Sequence, residues 1–292
     1  MPTPWRSRTR GPDARTPPGP WRSGMPGRPD VPLPPQRMPL VRGGRPLKRW
    51  CWVGAFSDDL MVCIASARVG PARLSWWALW DRTTRTLHER TTRMPGRVGV
   101  GPLVANVRDG NVAISLWVEA RAGVETVSPH GAEYAWTRKQ GGVRVVGSVD
   151  VDGTPRRFEA RGIVDESAGY HARDTAWHWS AGVGATPDGA AVAWNLVHGL
   201  HDAPEASERT VWLDGTAHEV GPVRFDDDLG GLGFAEGGGL DFTPEAERAH
   251  RHRMGPVSSA YVQPFGAFRG VLPVAGELAE GAGVMERHVA RW

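Results

Sequence analysis

Between Trp50 and Trp292, apolar and polar side chains alternate in short runs, each bounded by Gly, Asp or Pro. Period-two runs of this kind predict half-buried β-strands. One series covers 51–56, 60–69, 74–81, 86–93, 111–120, 132–139, 143–151 and 156–164. A second covers 175–184, 190–199, 209–214, 217–222, 223–226, 231–237, 259–268 and 283–292. The Asp-Gly pairs in RDGN (108–111), VDGT (151–154), TPDG (186–189) and LDGT (213–216) sit where a hairpin needs positive φ. One stretch, TPEAERAHRHR at 243–253, predicts a short helix, with Thr243 as its cap, Pro244 in its first turn and Glu245 near the positive end of the dipole. So many strands create many edges, and closure into barrels removes them. The expected fold is therefore all-β: two consecutive antiparallel β-barrels joined near 165–174, with one short helix.

The hairpin 176–199 allows a finer expectation. If the TPDG turn sets Thr186 opposite Gly189, Trp177 opposes His198, Trp179 opposes Leu196 and Ala181 opposes Trp194, all on one face. His178, Ser180, Asn195 and Val197 then share the other. The aromatic face suits a packed interior, a barrel–barrel contact or the wall of a ligand cavity. His178 and Ser180, two residues apart on one strand, are about 6–7 Å from each other, too far for a nucleophile–base pair. No G-x-S-x-G elbow is present either.

Composition changes this picture mainly at the front of the chain. Residues 1–46 hold 13 of the 25 prolines, a composition too poor in apolar surface to offset chain entropy, and predict a disordered or extended tail. The expected division is 1–46 tail, 47–168 first barrel and 169–292 second barrel. The tail also carries the basic charge: residues 1–49 hold eleven Lys+Arg against two Asp+Glu, leaving 24 against 30 in the body. A mildly acidic body without a basic, aromatic-laced stripe argues against nucleic-acid binding. No run of 18 apolar residues predicts a membrane helix, and no signal-like start appears, so a cytoplasmic location is expected. Two cysteines, Cys51 and Cys63, make no disulfide framework.

Chemistry-bearing residues concentrate at the join. The pair Asp165–Glu166 supplies carboxyl groups for acid–base work, although adjacent strand residues point to opposite faces. In the last strand Glu286 and His288 share a face. Asp226–Asp228 lack the ligand order of a calcium loop, and the glycines at 230–239 contain no dinucleotide fingerprint. No Cys/His set has zinc spacing, and the histidines of AHRHR (249–253) read as surface residues, so no metal and no cofactor are expected.

Taken together, RPLKRWCWVGAFSDDLMVCIASARVG, the WHWSAGVG…WNLVHG hairpin, ERTVWLDG and QPFGAFRG…GVMERH resemble the bacterial domain-of-unknown-function 2804 family over about residues 38–292. More distantly the chain is similar to lipocalin-like double-barrel proteins that include carotenoid 1,2-hydratase. Those carry an Asp-His-Glu-Trp element before their second barrel. Here GIVDESAGY keeps Gly162 and Asp165 and has Glu166, but lacks the His and Trp. The resemblance implies two lipocalin-like barrels.

Three functional expectations follow. The first is binding of an apolar or amphipathic small molecule, lipid- or isoprenoid-like, at Trp177, Trp179, Trp194, His198 and Glu286. The second is a hydratase, cyclase or isomerase in which Asp165 or Glu166 protonates an alkene while His178 and Asn195 position water or substrate. The third is a non-catalytic scaffold that uses the Pro-rich tail. Oligomeric state is left open.

Overall fold

Residues 18–254 and 257–292 are described by a computed structural model. They form two large antiparallel sheets and no helix. In the first sheet, Lys48–Phe56, Leu60–Val69, Ala72–Asp81 and Thr86–Thr92 pair in sequence. Lys48–Phe56 takes Thr154–Gly169 on its other side, and the order returns through Glu133–Val151, Val112–Val118 and Val104–Asp109 to Val98–Val100. The second sheet repeats this order: Thr216–Glu219, Thr210–Leu213, Ala191–His198, Asp174–Ala185, Gly276–Arg291, Val257–Leu272, Gly239–Met254, Gly231–Phe234 and Val223–Phe225. In each sheet the first strand of the meander pairs with its last, Lys48–Phe56 with Thr154–Gly169 and Asp174–Ala185 with Gly276–Arg291, while the two ends of the order remain edges. Across the open edge of the first, Arg73 donates to the Val98 carbonyl at 3.0 Å and Trp77 Nε1 to Asp109 at 3.1 Å.

Several strands are apolar on both faces because both faces are covered. In Leu60–Val69, Val62 and Ile64 join the interior of the first barrel with Leu79, Val107 and Phe158, while Met61 and Cys63 turn toward the second barrel. The second interior is filled by Trp194, Leu232, Phe242, Phe268 and Met285. Between the barrels lies a third apolar layer that includes Trp52, Trp80, Trp179, Trp212 and Phe265. Burying side chains of this size contributes roughly 1.5–3 kcal/mol each, so the seam is a core in its own right.

Of the expected tail, residues 1–17 lie outside the described residues. Residues 18–46 run across the first barrel, burying Trp21, Leu33 and Met38 beside Tyr134, Trp136 and Tyr170. Tyr134 and Tyr170 each donate a hydroxyl to a carbonyl of this segment, Pro32 and Pro39, at 2.7 Å.

Two expectations are corrected. The helix at 243–253 is instead part of the strand Gly239–Met254, paired along its length with Val257–Leu272. Long-range pairing overrides local propensity here. Pro244, which lacks an N–H, sits at a register shift between Pro244 and Ala246, where a strand tolerates it. The TPDG hairpin is also displaced by one residue: His178 opposes His198, Trp179 opposes Val197 and Ala185 opposes Ala191. A two-residue primed turn would need positive φ at Pro187, which its ring forbids. The chain closes instead through Thr186 N–H to the Ala190 carbonyl at 3.1 Å, with Gly189 at φ 88°. VDGT and LDGT do make two-residue turns, with φ positive at Asp152, Gly153, Asp214 and Gly215.

Close approach of the barrels depends on one glycine. A Cβ on Gly141 would lie 2.2 Å from Cε3 of Trp212. Gly141→Ala is expected to lower unfolding stability by about 1–3 kcal/mol in urea titrations, since Trp212 must move out of a filled layer.

Candidate functional site at the inter-barrel seam

The seam face of the second barrel is built by cross-strand register. Trp177 opposes His288, Trp179 opposes Glu286, and Tyr261 opposes His288 from the other side. Arg248 opposes Gln263 one strand further on. Glu286 is buried, accepting from Trp177 Nε1 at 2.8 Å and from Gln263 Nε2 at 2.7 Å. Burial pushes its carboxyl up to about 7, the Asp165 charge adds to this, and the two neutral donors and the Arg248 charge only partly oppose it. His288 packs against Trp177 with ring centroids 4.2 Å apart and planes tilted by 49°, and is hydrogen-bonded to Ser259 at 2.7 Å; burial holds its pKa down to about 3, so it stays neutral.

The first barrel supplies the facing wall. Trp52 meets Trp179 edge-on at 4.9 Å, and Trp76 meets Tyr261 at 6.3 Å. The Arg248 guanidinium lies 5.0 Å from the Tyr261 ring and 5.8 Å from that of Trp76. Trp52 Nε1, Trp76 Nε1, the Tyr261 hydroxyl and Gln263 Oε1 are buried without a hydrogen-bond partner. Buried polar atoms are nearly always paired, so these four orphans along the seam set it apart from an ordinary core.

Behind Trp52 the seam becomes ionic. Lys139 Nζ lies 2.5 Å from Asp165 and 3.2 Å from Glu208, a residue of the second barrel. Burial disfavours the Lys139 charge, but the two carboxylates outweigh it and hold its pKa above the usual lysine value. Asn195 connects the two zones, accepting from Trp179 Nε1 at 2.9 Å and donating to the Glu208 carbonyl at 3.0 Å. Beyond Glu208 come His201, His171 and His130, whose rings lie about 5 Å apart.

The structure therefore divides the residues singled out in the sequence. Trp177, Trp179, Asn195, Asp165 and Glu286 belong to the seam. Glu166 sits next to Asp165 on Thr154–Gly169 but points away, bound to Arg138 at 2.6 Å. The one-residue slip moves Trp194 and His198 to the face opposite Trp179, the face expected for His178. Trp194 is core, donating to Ser180 at 3.0 Å and packing on Phe268. His178 stacks on Phe225, and His198 is exposed. His178 and Asn195, expected to work together, thus stand on opposite sides of one sheet. Lys139, Glu208, Gln263 and Tyr261 escaped the sequence reading. The buried Lys in EYAWTRKQ was the available signal, since a lysine inside a two-faced strand needs a partner.

An open cleft lies at the other end of the same seam. Its volume is about 590 Å³, with Phe56, Ala193 and Trp212 as an apolar wall and Arg121, Arg144 and Arg161 at its rim. Arg161 is anchored by carbonyls of Gly184 and Val192, so the first barrel grips the second there. No helix among the described residues is long and apolar enough to cross a membrane.

A family model described as Domain of unknown function (DUF2804) matches residues 111–292. A search of curated proteins finds no match. Among solved structures, kievitone hydratase from Nectria haematococca is similar with a TM-score of 0.51 and 11% identity, over 82% of this chain and 88% of that one. A putative AttH from Nitrosomonas europaea gives 0.42 and 13% identity over 88% and 98%. CghA with Sch210972 gives 0.42 and 14% over 90% and 95%. The first likeness shows the fold, two consecutive lipocalin-like barrels.

Proposed function

The chain belongs to the family described as Domain of unknown function (DUF2804), and on that premise we propose that it binds one amphipathic small molecule, lipid- or isoprenoid-like, between its two barrels. The observation that carries this reading is the cleft of about 590 Å³ beside Trp212, within the size range of small-molecule sites and bounded by both barrels. Both barrel interiors are filled by side chains, which moves the expected ligand from a lumen to the seam. Full-length protein incubated with a lipid extract is expected to retain one molecule per chain by native mass spectrometry. Trp212→Ala should lower retention at least about tenfold, as for a central aromatic contact, with Trp212→Phe recovering most of it. A wild-type protein that retains nothing would overturn the reading.

A second reading, acid catalysis on an alkene, is favoured by Glu286. A carboxylate bound to a cation is a poor proton donor, and Asp165 and Glu166 are bound to Lys139 and Arg138. Glu286 accepts hydrogen bonds only from neutral donors, and burial raises its pKa to about 7 against the opposing charge of Arg248, a shift that favours its acid form. Its carboxyl proton would add to one alkene carbon, the indole faces of Trp76 and Trp177 would stabilise the cation formed, and water would add there and return its proton to the carboxylate. Kievitone hydratase shares the fold, but a fold carries no chemistry by itself, so this reading rests on the carboxyl group.

A further inference from the structure

We propose that His130, His171 and His201 bind one divalent first-row transition-metal ion at the crossover between the barrels. Each histidine comes from a different part of the fold. His130 ends the strand Val124–His130, His171 lies in the link after Thr154–Gly169, and His201 lies in the loop after Ala191–His198. One ring nitrogen from each falls within 4.8 Å of the others, and Nε2 of His171 stands 3.1 Å from Nε2 of His201. Zn–N bonds of about 2.0–2.1 Å in a tetrahedral set place ligand nitrogens about 3.4 Å apart, so one edge of the set is nearly in place. His171 and His201 are buried and His130 is half-buried.

A plain hydrogen bond between His171 and His201 explains only two of the ring nitrogens. His130 Nε2, His171 Nδ1 and His201 Nδ1 remain buried without a partner, as does Oε2 of Glu208, 3.6 Å from His201 Nδ1. A metal would take up His130 Nε2 and leave His201 Nδ1–H aimed at Glu208, the carboxylate–histidine–metal arrangement that orients imidazole ligands. The backbone is braced accordingly: Arg45 holds the His130 carbonyl at 2.7 Å and Lys48 holds that of His171 at 2.9 Å. Three imidazoles without thiolate select zinc, copper, nickel or iron over calcium and magnesium. The bound ion would clamp first barrel, link and second barrel together.

The test uses the full chain, stripped with a chelator and titrated with Zn²⁺ by calorimetry and with Co²⁺ by visible spectroscopy. One equivalent of each is expected, and X-ray absorption of the zinc form should show imidazole scattering at about 2.0–2.1 Å. Glu208→Gln should weaken binding about 10- to 100-fold, and His201→Asn or His130→Gln by more, with near-ultraviolet dichroism unchanged. His198→Gln, an exposed histidine on a neighbouring strand, should change nothing. No uptake, or uptake insensitive to His201→Asn and His130→Gln, overturns the proposal. If those variants do not fold, the wild-type absorption spectrum decides, and zinc without imidazole scattering overturns it.

Discussion

Glu286→Gln is expected to remove the component of the pH dependence of stability that falls between pH 4.5 and 7, leaving the opposite component from the buried neutral histidines such as His288. The Glu286 carboxyl is raised by burial to about 7 from an unfolded value near 4.5, so between these limits the folded state binds the extra proton. Stability from this group is complete below pH 4.5 and is lost as pH rises through 7. The loss corresponds to about 3 kcal/mol for a shift of this size. Glutamine has no such titration, so the variant should gain about 3 kcal/mol relative to wild type between pH 4.5 and 7.5, read by urea unfolding at stepped pH. A constant difference across that range would show that Glu286 is not held in its acid form. If the seam performs proton transfer, the same variant should lower kcat by about 10²–10⁴-fold with little change in ligand affinity. Trp212→Ala should do the opposite, losing affinity first.

The second large effect concerns Lys139→Met. Among the described residues Lys139 is the sole cation bridging Asp165 and Glu208, and all three are buried. Removing one member of a buried ionic group leaves uncompensated charge, which costs about 3–5 kcal/mol. For a chain of this size that corresponds to a melting point lower by roughly 10 °C. Adding Glu208→Gln should return part of the loss, because one of the stranded charges is then gone. A single variant as stable as wild type would mean that the seam is hydrated enough to solvate both carboxylates.

The strands themselves were legible in the sequence because each carries a period-two pattern and several end in turns of defined chemistry. VDGT and LDGT specify their registers by positive φ at Asp and Gly. TPDG looks alike but places Pro187 where that φ is closed, and the resulting one-residue slip moves Trp194 and His198 to the face opposite Trp179. The segment 243–253 carries helix caps in its local sequence, but its edge pairing with Val257–Leu272 is set by residues that local rules do not consult. The site was less legible than the fold. Glu286 and Trp177 could be named singly, but their contact spans 109 residues. The histidine cluster was invisible because metal spacing rules describe ligands on one short segment, whereas His171 and His201 are 30 residues apart and His130 lies on a third element.

The pairing of first strand with last sets how the chain reaches this structure. The strand that closes each barrel pairs with the strand that opens it, so Lys48 meets the His171 carbonyl across 123 residues and Trp292 meets Thr175 across 117. Loops of that length are slow to close, and their entropy must be lost before the pairing repays it. Neither barrel can therefore seal until its final strand has been made. Until then Lys48–Phe56 and Asp174–Ala185, each carrying two Trp, keep one edge bare, a window in which chaperones or a neighbouring chain compete for them.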